Sequence, residues 1–269
     1  MQYELIKRSL GRYSKRSPFL RMTLFNLLDL LLLRTWHVNK ALNTLVRDLP
    51  EDAAVLDAGS GFGQYTWRMS RKNSRWKIKA VDLNEDHVND CNKFFSESGR
   101  SGNVTFTAQD LTSLNDTDAY NLILSVDVME HIHEDELVFR AFCKSLKNNG
   151  YLLISIPSDK GGSDVHNEGD VSFIDEHVRN GYSKEEITAK LSAAGFRKTD
   201  VKYTYGIPGH ISWIFSMKYP VKLLNLSRLF FIVLPFYYLI IFPFCITLNI
   251  MDLYFIHKTG TGLLVTAQK

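Results

Sequence analysis

Val55-Leu56-Asp57-Ala58-Gly59-Ser60-Gly61-Phe62-Gly63 is the stretch on which the fold is decided. A short apolar run ends in an acid, and glycine then takes every second position. Glycine is needed where backbone must turn tightly and let a ligand approach closely. A helix opening directly beyond it, near Gln64, offers free N–H groups and partial positive charge. Turns that bind a pyrophosphate usually keep the position before the first glycine apolar. An acid there, Asp57, suits a ligand that carries a cation. Two further acids follow at intervals. Asp82 ends the next apolar run, placed to accept hydrogen bonds from two ribose hydroxyls. Asp110 lies just past the third, where an adenine amino group would be met.

Outward from this turn the chain alternates between two periodicities. Strands are predicted at Ala53–Asp57, Lys77–Asp82, Val104–Ala108, Tyr120–Ser125, Tyr151–Ile156, Lys198–Tyr205 and Gly262–Ala267. Helices are predicted near Gln64–Arg71, over Glu85–Ser98 and Glu134–Leu146, and from a Ser183 cap to Gly195. Upstream, Ser17-Pro18 reads as the cap and first residue of an apolar helix running to Leu33, with Thr23, Asn26 and Asp29 on one narrow stripe. A second helix is predicted from Val38 to Arg47. Such alternation predicts an α/β fold: a doubly wound, mostly parallel sheet with helices on both faces.

The Asp57–Gly63 turn, Val81-Asp82, Ala108-Gln109-Asp110-Leu111, the run Ser125-Val126-Asp127-Val128-Met129-Glu130-His131-Ile132, and Leu146–Pro157 with its Asn-Asn-Gly turn occur in order. Together they resemble five motifs of the class I S-adenosylmethionine (SAM) dependent methyltransferases, and the small-molecule branch containing the ubiquinone and menaquinone enzymes. The resemblance covers roughly Pro50 to Phe196 and the closing strand. It implies a seven-stranded sheet of order 3-2-1-4-5-7-6 with the last strand antiparallel. It also implies SAM as cofactor, its methionine part held by Asp57, Gly59, Gly61 and Gly63, its ribose by Asp82 and Leu83, and its adenine by Asp110 and Leu111, with Ser125 beside it.

Methyl transfer is an in-line displacement, so alignment is the main work, and an oxygen acceptor needs a base or a metal. Candidates cluster after the fourth strand. On a helical turn Asp127, Glu130 and His131 would share one face, a set suited to a hard divalent cation. The ubiquinone-type resemblance implies magnesium there, although Asp127 stands where those enzymes have Glu. Alternatively, Glu130 and His131 fix the loop by hydrogen bonds, or His131 acts as a general base. Asp175–Arg179 resembles a family stretch that borders the acceptor, which brings His177 into the catalytic set; His133, His166, Tyr182 and His210 flank the same side.

From Leu229 to Ile256 the chain is apolar except at Pro235, Pro243, Thr247, Asn249 and Asp252. By length this is a membrane-span candidate. Because it lies between two strands that the resemblance pairs, the chain must leave the sheet and return, which favours an interfacial or re-entrant hairpin bent at the prolines. The other reading is a lid or a homodimer interface. Both point to a hydrophobic or lipid-like small-molecule acceptor. Lys7, Arg8, Arg12, Lys15, Arg16 and Arg21 face one acid, Glu4, in the first 21 residues, a local excess suited to an anionic surface. Net charge is only +3, and no aromatic follows Asp127, so a nucleic-acid partner is not expected. A membrane-bound protein that has kept the fold without catalysis is a further alternative, opposed by the intact glycines and acids. Cys91, Cys143 and Cys245 show neither metal nor disulfide spacing, which suits a reduced cytoplasmic compartment; with the apolar insertion and the basic N-terminal stretch, the expected place is peripheral or monotopic on the cytoplasmic face of a membrane. The expected organisation is a helical region at 1–49, a SAM-binding core at 50–205, a membrane-contact or lid insertion at 206–260, and a last core strand at 261–269.

Overall fold

The computed structural model describes residues 17–161, 178–227 and 230–269. Seven strands form one sheet: β1 (Ala54–Ala58), β2 (Lys77–Asp82), β3 (Val104–Ala108), β4 (Tyr120–Val126), β5 (Leu146–Pro157), β6 (Lys198–Thr204) and β7 (Gly262–Gln268). Their order is β3-β2-β1-β4-β5-β7-β6. The first five run parallel, and β7 is antiparallel to both β5 and β6. β1 sits where the order reverses, between β2 and β4, so the chain leaves its carboxyl end beside a crevice.

Alternation along the strands assigns each face to a layer of helices. Leu56, Ile123 and Ile154 point to the side covered by α5 (Asp135–Ser145) and α6 (Lys184–Ala193), where Phe139, Phe142, Ile187 and Leu191 are buried with them. Val55, Leu122 and Leu124 point the other way, to Phe25, Val38, Trp67 and Phe94. These belong to α1 (Pro18–Leu31), α2 (Leu33–Leu45), α3 (Gln64–Lys72) and α4 (Glu85–Glu97). Ser17 and Pro18 take the predicted cap and first positions of α1. The second helix begins at Leu33, earlier than Val38, because α1 stops at Leu32 and the chain turns straight into α2.

Arg21 corrects the reading of a wholly surface-facing basic stretch. It is only 2% exposed. Its guanidinium donates to Phe62 O at 2.7 Å, Asp90 Oδ2 at 2.8 Å and Cys91 Sγ at 3.0 Å, against the Phe94 ring. Asp29, further along α1, accepts from Gln64 Nε2 at 2.8 Å and pairs with Arg68, both on α3. The first helix is thus bolted to the glycine turn. The other five cations of that stretch lie outside the described residues.

The apolar insertion is a helical hairpin, but its bend is not at the prolines. A first arm runs through α7 (Ile207–Trp213), a π-helical turn (Ile214–Lys218) and α8 (Tyr219–Leu226). The second is α9, 25 unbroken residues from Phe230 to Tyr254. Pro235 and Pro243 lie on its exposed side and do not end it. Exit and return are adjacent, for Thr261 N–H donates to Tyr205 O at 3.2 Å. Asp252, wholly buried, anchors the base: it accepts from His37 Nε2 at 2.8 Å, Gly209 N at 3.0 Å and Tyr205 N at 3.1 Å, with His257 at 3.2 Å. Burial would raise its pKa, but the His37 bond and the neighbouring imidazoles together hold it below the ordinary value.

Candidate functional site

The glycine turn connects β1 to α3 and is tied to the end of β2. Gly59 N–H and Ser60 N–H donate to Val81 O at 2.9 and 2.8 Å. Gly59 and Gly61 both adopt left-handed backbone, φ +82° and +52°, which disfavours a side chain at either. Their surroundings differ. A Cβ at Gly59 would come within 2.2 Å of Val128 Cγ2, whereas one at Gly61 would meet nothing within 4 Å. Gly59 is therefore needed for packing, and Gly61 keeps backbone bare on an open side.

Asp82 stands across the turn. Its Oδ2 accepts from Gly61 N at 2.7 Å and its Oδ1 from Asn84 N at 2.9 Å. A carboxylate has about four acceptor positions. Two are spent fixing the loop, which leaves capacity for a pair of vicinal hydroxyls. Leu83, next in the chain, is 71% exposed, a large apolar side chain that a flat ring would cover. Asp57 is buried at the end of β1, with Thr66 Oγ1 donating to its Oδ2 at 2.5 Å. Burial, opposed by that bond and aided by the Asp82 charge, pushes its carboxyl up to about 7. An acid held in this way gains most from a cationic partner. Two buried hydroxyls near the carboxyl ends of β1 and β4, Ser60 Oγ and Ser125 Oγ, have no hydrogen-bond partner among the described residues. These features fit a nucleoside joined to a charged amino acid. Asp110 accepts from Thr112 N at 2.8 Å and stays exposed, while the Leu111 side chain is buried in the core, which leaves its backbone for contact.

After β4 the geometry departs from expectation. The turn at Met129–His131 is a 3₁₀ helix, and Asp127 precedes it with φ +52°. Asp127 therefore does not share a helical face with Glu130 and His131; it is ion-paired to Arg34 at the start of α2. Glu130 is buried and His131 exposed. No group of His, Cys, Asp or Glu among the described residues has the arrangement to hold a metal, so this set does not fit magnesium. Glu130 has another character. Its Oε2 is buried with no hydrogen-bond partner among the described residues. Burial raises its pKa well above the carboxylate range, against the opposing charges of Arg34 and Arg179.

Arg34, Arg179 and Tyr205 were missed from the sequence. Tyr205, at φ +53°, accepts from Arg34 N at 2.9 Å. Arg179 donates to Ile132 O at 2.8 Å and pairs with Asp135 at 2.7 Å. The only signal available was Arg179's place in the stretch read as bordering the acceptor. Val178 N–H donates to Glu130 O at 3.1 Å, so the described end of that stretch does reach the turn after β4. His177 and His166 lie outside the described residues. Tyr182, expected to flank the acceptor, is instead fully buried, its hydroxyl donating to Asp135 Oδ2 at 2.7 Å.

Comparison with known proteins bears on the family and the fold. A family model described as a methyltransferase domain matches residues 49–202. Among solved structures, the chain is similar to a SAM-dependent methyltransferase from Aquifex aeolicus, at 24% identity and TM-score 0.50, over 65% of this chain and 85% of that one. It is similar to Haemonchus contortus phosphoethanolamine N-methyltransferase 2, solved with phosphomonomethylethanolamine and S-adenosylhomocysteine, at 17% identity and TM-score 0.58, over 86% and 52%. It is similar also to the [4+2]-cyclase SpnF, at 19% identity and TM-score 0.57, over 85% and 80%. No curated protein sequence matches it.

Proposed function

Because this chain belongs to the class I SAM-dependent methyltransferases, we propose that it methylates an oxygen or nitrogen of a hydrophobic, lipid-like small molecule at a membrane surface. One observation carries the choice of acceptor. α9 is packed on one side only. Its other side presents Ile232, Phe236, Leu239, Ile240, Phe244, Ile250, Met251 and Tyr254 to the exterior, from the first turn of the helix to the last. Ile232–Tyr254 is long and apolar enough to cross a bilayer. Both ends of the insertion meet at Tyr205 and Thr261, however, so α9 cannot cross alone, and lying along the surface with its apolar side immersed fits better. Apolar surface of this extent needs a cover, and an acceptor drawn from lipid explains why it sits on an enzyme. Lys218 and Lys222 on the first arm suit an anionic leaflet. The cytoplasmic face is the side we assign.

When bound, SAM supplies an electrophilic methyl group on a sulfonium. Asp57, Gly59, Gly61, Gly63, Asp82, Leu83, Asp110, Leu111 and Ser125 are assigned to hold it. Gly61 lets backbone approach, Asp82 takes the ribose hydroxyls, and Asp57 faces the ammonium. Glu130 is assigned the proton on the acceptor atom. Its raised pKa places it near working pH, where a base both accepts and releases protons readily. His131 and His177 are the other acid–base candidates. Arg34 and Arg179 border the same turn and would orient a polar end of the acceptor.

The test is transfer of labelled methyl from SAM into lipid extracts fractionated by polarity. Label in the apolar fractions, reduced at least tenfold by Glu130→Gln with SAM binding intact, is expected. Label confined to water-soluble compounds would refute the acceptor class.

A further inference from the structure

Between the two arms of the hairpin lies an open groove of about 490 Å³, remote from the SAM cradle in the chain. Phe215, Tyr219 and Leu223 form one wall, Tyr237 and Ile241 the other, and Lys222 is the only charged lining residue among those described.

The walls are fixed by backbone chemistry rather than by grease alone. In the π-helical turn, Tyr219 N–H is taken by Ile214 O. Phe215 O thereby loses the donor that an α-helix would give it. Ser216 O loses its own because residue 220 is proline, which has no N–H. Two hydroxyls from α9 replace them: Tyr237 donates to Phe215 O and Tyr238 to Ser216 O, each at 2.7 Å. A carbonyl left bare beside apolar side chains would cost about 1–3 kcal/mol, so each bond stabilises this separation of the arms. Single-turn π insertions recur at functional sites. Here the turn sets the arms apart along a slot that is apolar inside and cationic at one place.

We infer that this groove holds one acyl chain of an anionic bilayer phospholipid, with the phosphate of its headgroup on Lys222. The volume lies in the range of small-molecule sites. The lining is almost wholly apolar, as a hydrocarbon chain needs; its polar groups are the Lys222 ammonium and the hydroxyls of Tyr219 and Tyr237, of which the second is already donated to Phe215 O. Lys222, exposed and lining the same groove as Tyr237 and Ile241, matches a lipid whose tail and charge are adjacent. The inference rests on the bilayer contact proposed above, not on the methyl-transfer chemistry.

The purified full-length protein, stripped of lipid in detergent, is mixed with vesicles of dioleoyl-phosphatidylcholine alone or with one-third dioleoyl-phosphatidylglycerol. Vesicle flotation is scored, and native mass spectra count the lipid retained after extraction. One phosphatidylglycerol is expected to remain bound, in preference to phosphatidylcholine. Lys222→Gln should reduce that preference at least threefold. Leu223→Trp, which fills the groove and keeps its apolar character, should abolish retention while flotation and SAM binding persist. Flotation with no retained lipid, retention of phosphatidylcholine in equal amount, or undiminished retention by Leu223→Trp would overturn the inference. Loss of flotation by the unaltered protein would overturn the bilayer contact itself. Protein that dimerises through the groove instead, read from the same spectra, would also overturn it.

Discussion

Asp57 is the side chain whose state the cradle controls most directly. Its pKa rises from the ordinary value to about 7 on folding, so the folded chain holds a proton that the unfolded chain gives up. Stability from that proton is fully present below the unfolded pKa and is lost as pH rises through about 7. Binding a cationic ligand reverses the preference, because the ammonium favours the carboxylate. SAM should therefore bind more weakly as pH falls from 7 to 5.5, approaching tenfold per unit, since one unit corresponds to about 1.4 kcal/mol. Calorimetry in buffers of different ionisation enthalpy should detect release of a proton near pH 6.5. Asp57→Asn should lose both the pH dependence and the proton release. Asp57, the glycines and Asp82 were legible because each is needed by a local rule of backbone or charge. Glu130 was legible as a residue but not as a buried one. It is buried in the 3₁₀ turn, and the opposing charges of Arg34 and Arg179 are brought near it by segments distant in sequence.

Helix α1 is where sequence reading and fold diverge most usefully. Counting charges placed Arg21 in a basic stretch suited to an anionic surface, but the count is blind to partners. Arg21 closes three interactions with the glycine turn and α4 while stacked on Phe94. Arg21→Ala should destabilise the protein by about 3–5 kcal/mol, since it leaves Asp90 and Phe62 O without their donor. Thermal unfolding would register this, and a shift like that of a surface substitution would contradict it. Most strand and helix bounds were legible because hydrophobic period and turn chemistry agree there. The bend of the insertion was not. Prolines suggested a break inside α9, whereas both rings lie on the outer side and the chain bends at the polar Ser227, ahead of it.

A buried carboxylate ties the core to the apolar hairpin, beside the Thr261–Tyr205 backbone bond and the Lys40 bond to Leu253 O. Asp252 gathers His37 from α2, Tyr205 from the end of β6, Gly209 from α7 and His257 beyond α9. Asp252→Ala would leave those donors bare in a dry place, at a cost of about 3 kcal/mol or more. We expect faster proteolysis across 207–254 with SAM affinity little changed; equal loss of both would mean that hairpin and cradle are one unit. The alternation of strands and helices made a doubly wound sheet legible, and the strand order that the sheet adopts came only from the family resemblance, which implied it. The acceptor is not named by the fold, which a cyclase shares.

The account stands or falls on the cradle of Asp57–Gly63 and Asp82. Titration of the purified protein with SAM tests it most directly. One site of micromolar affinity is predicted, weakened at least tenfold by Asp82→Ala with the circular dichroism spectrum unchanged. Absence of binding, or equal affinity in the folded variant, would contradict it.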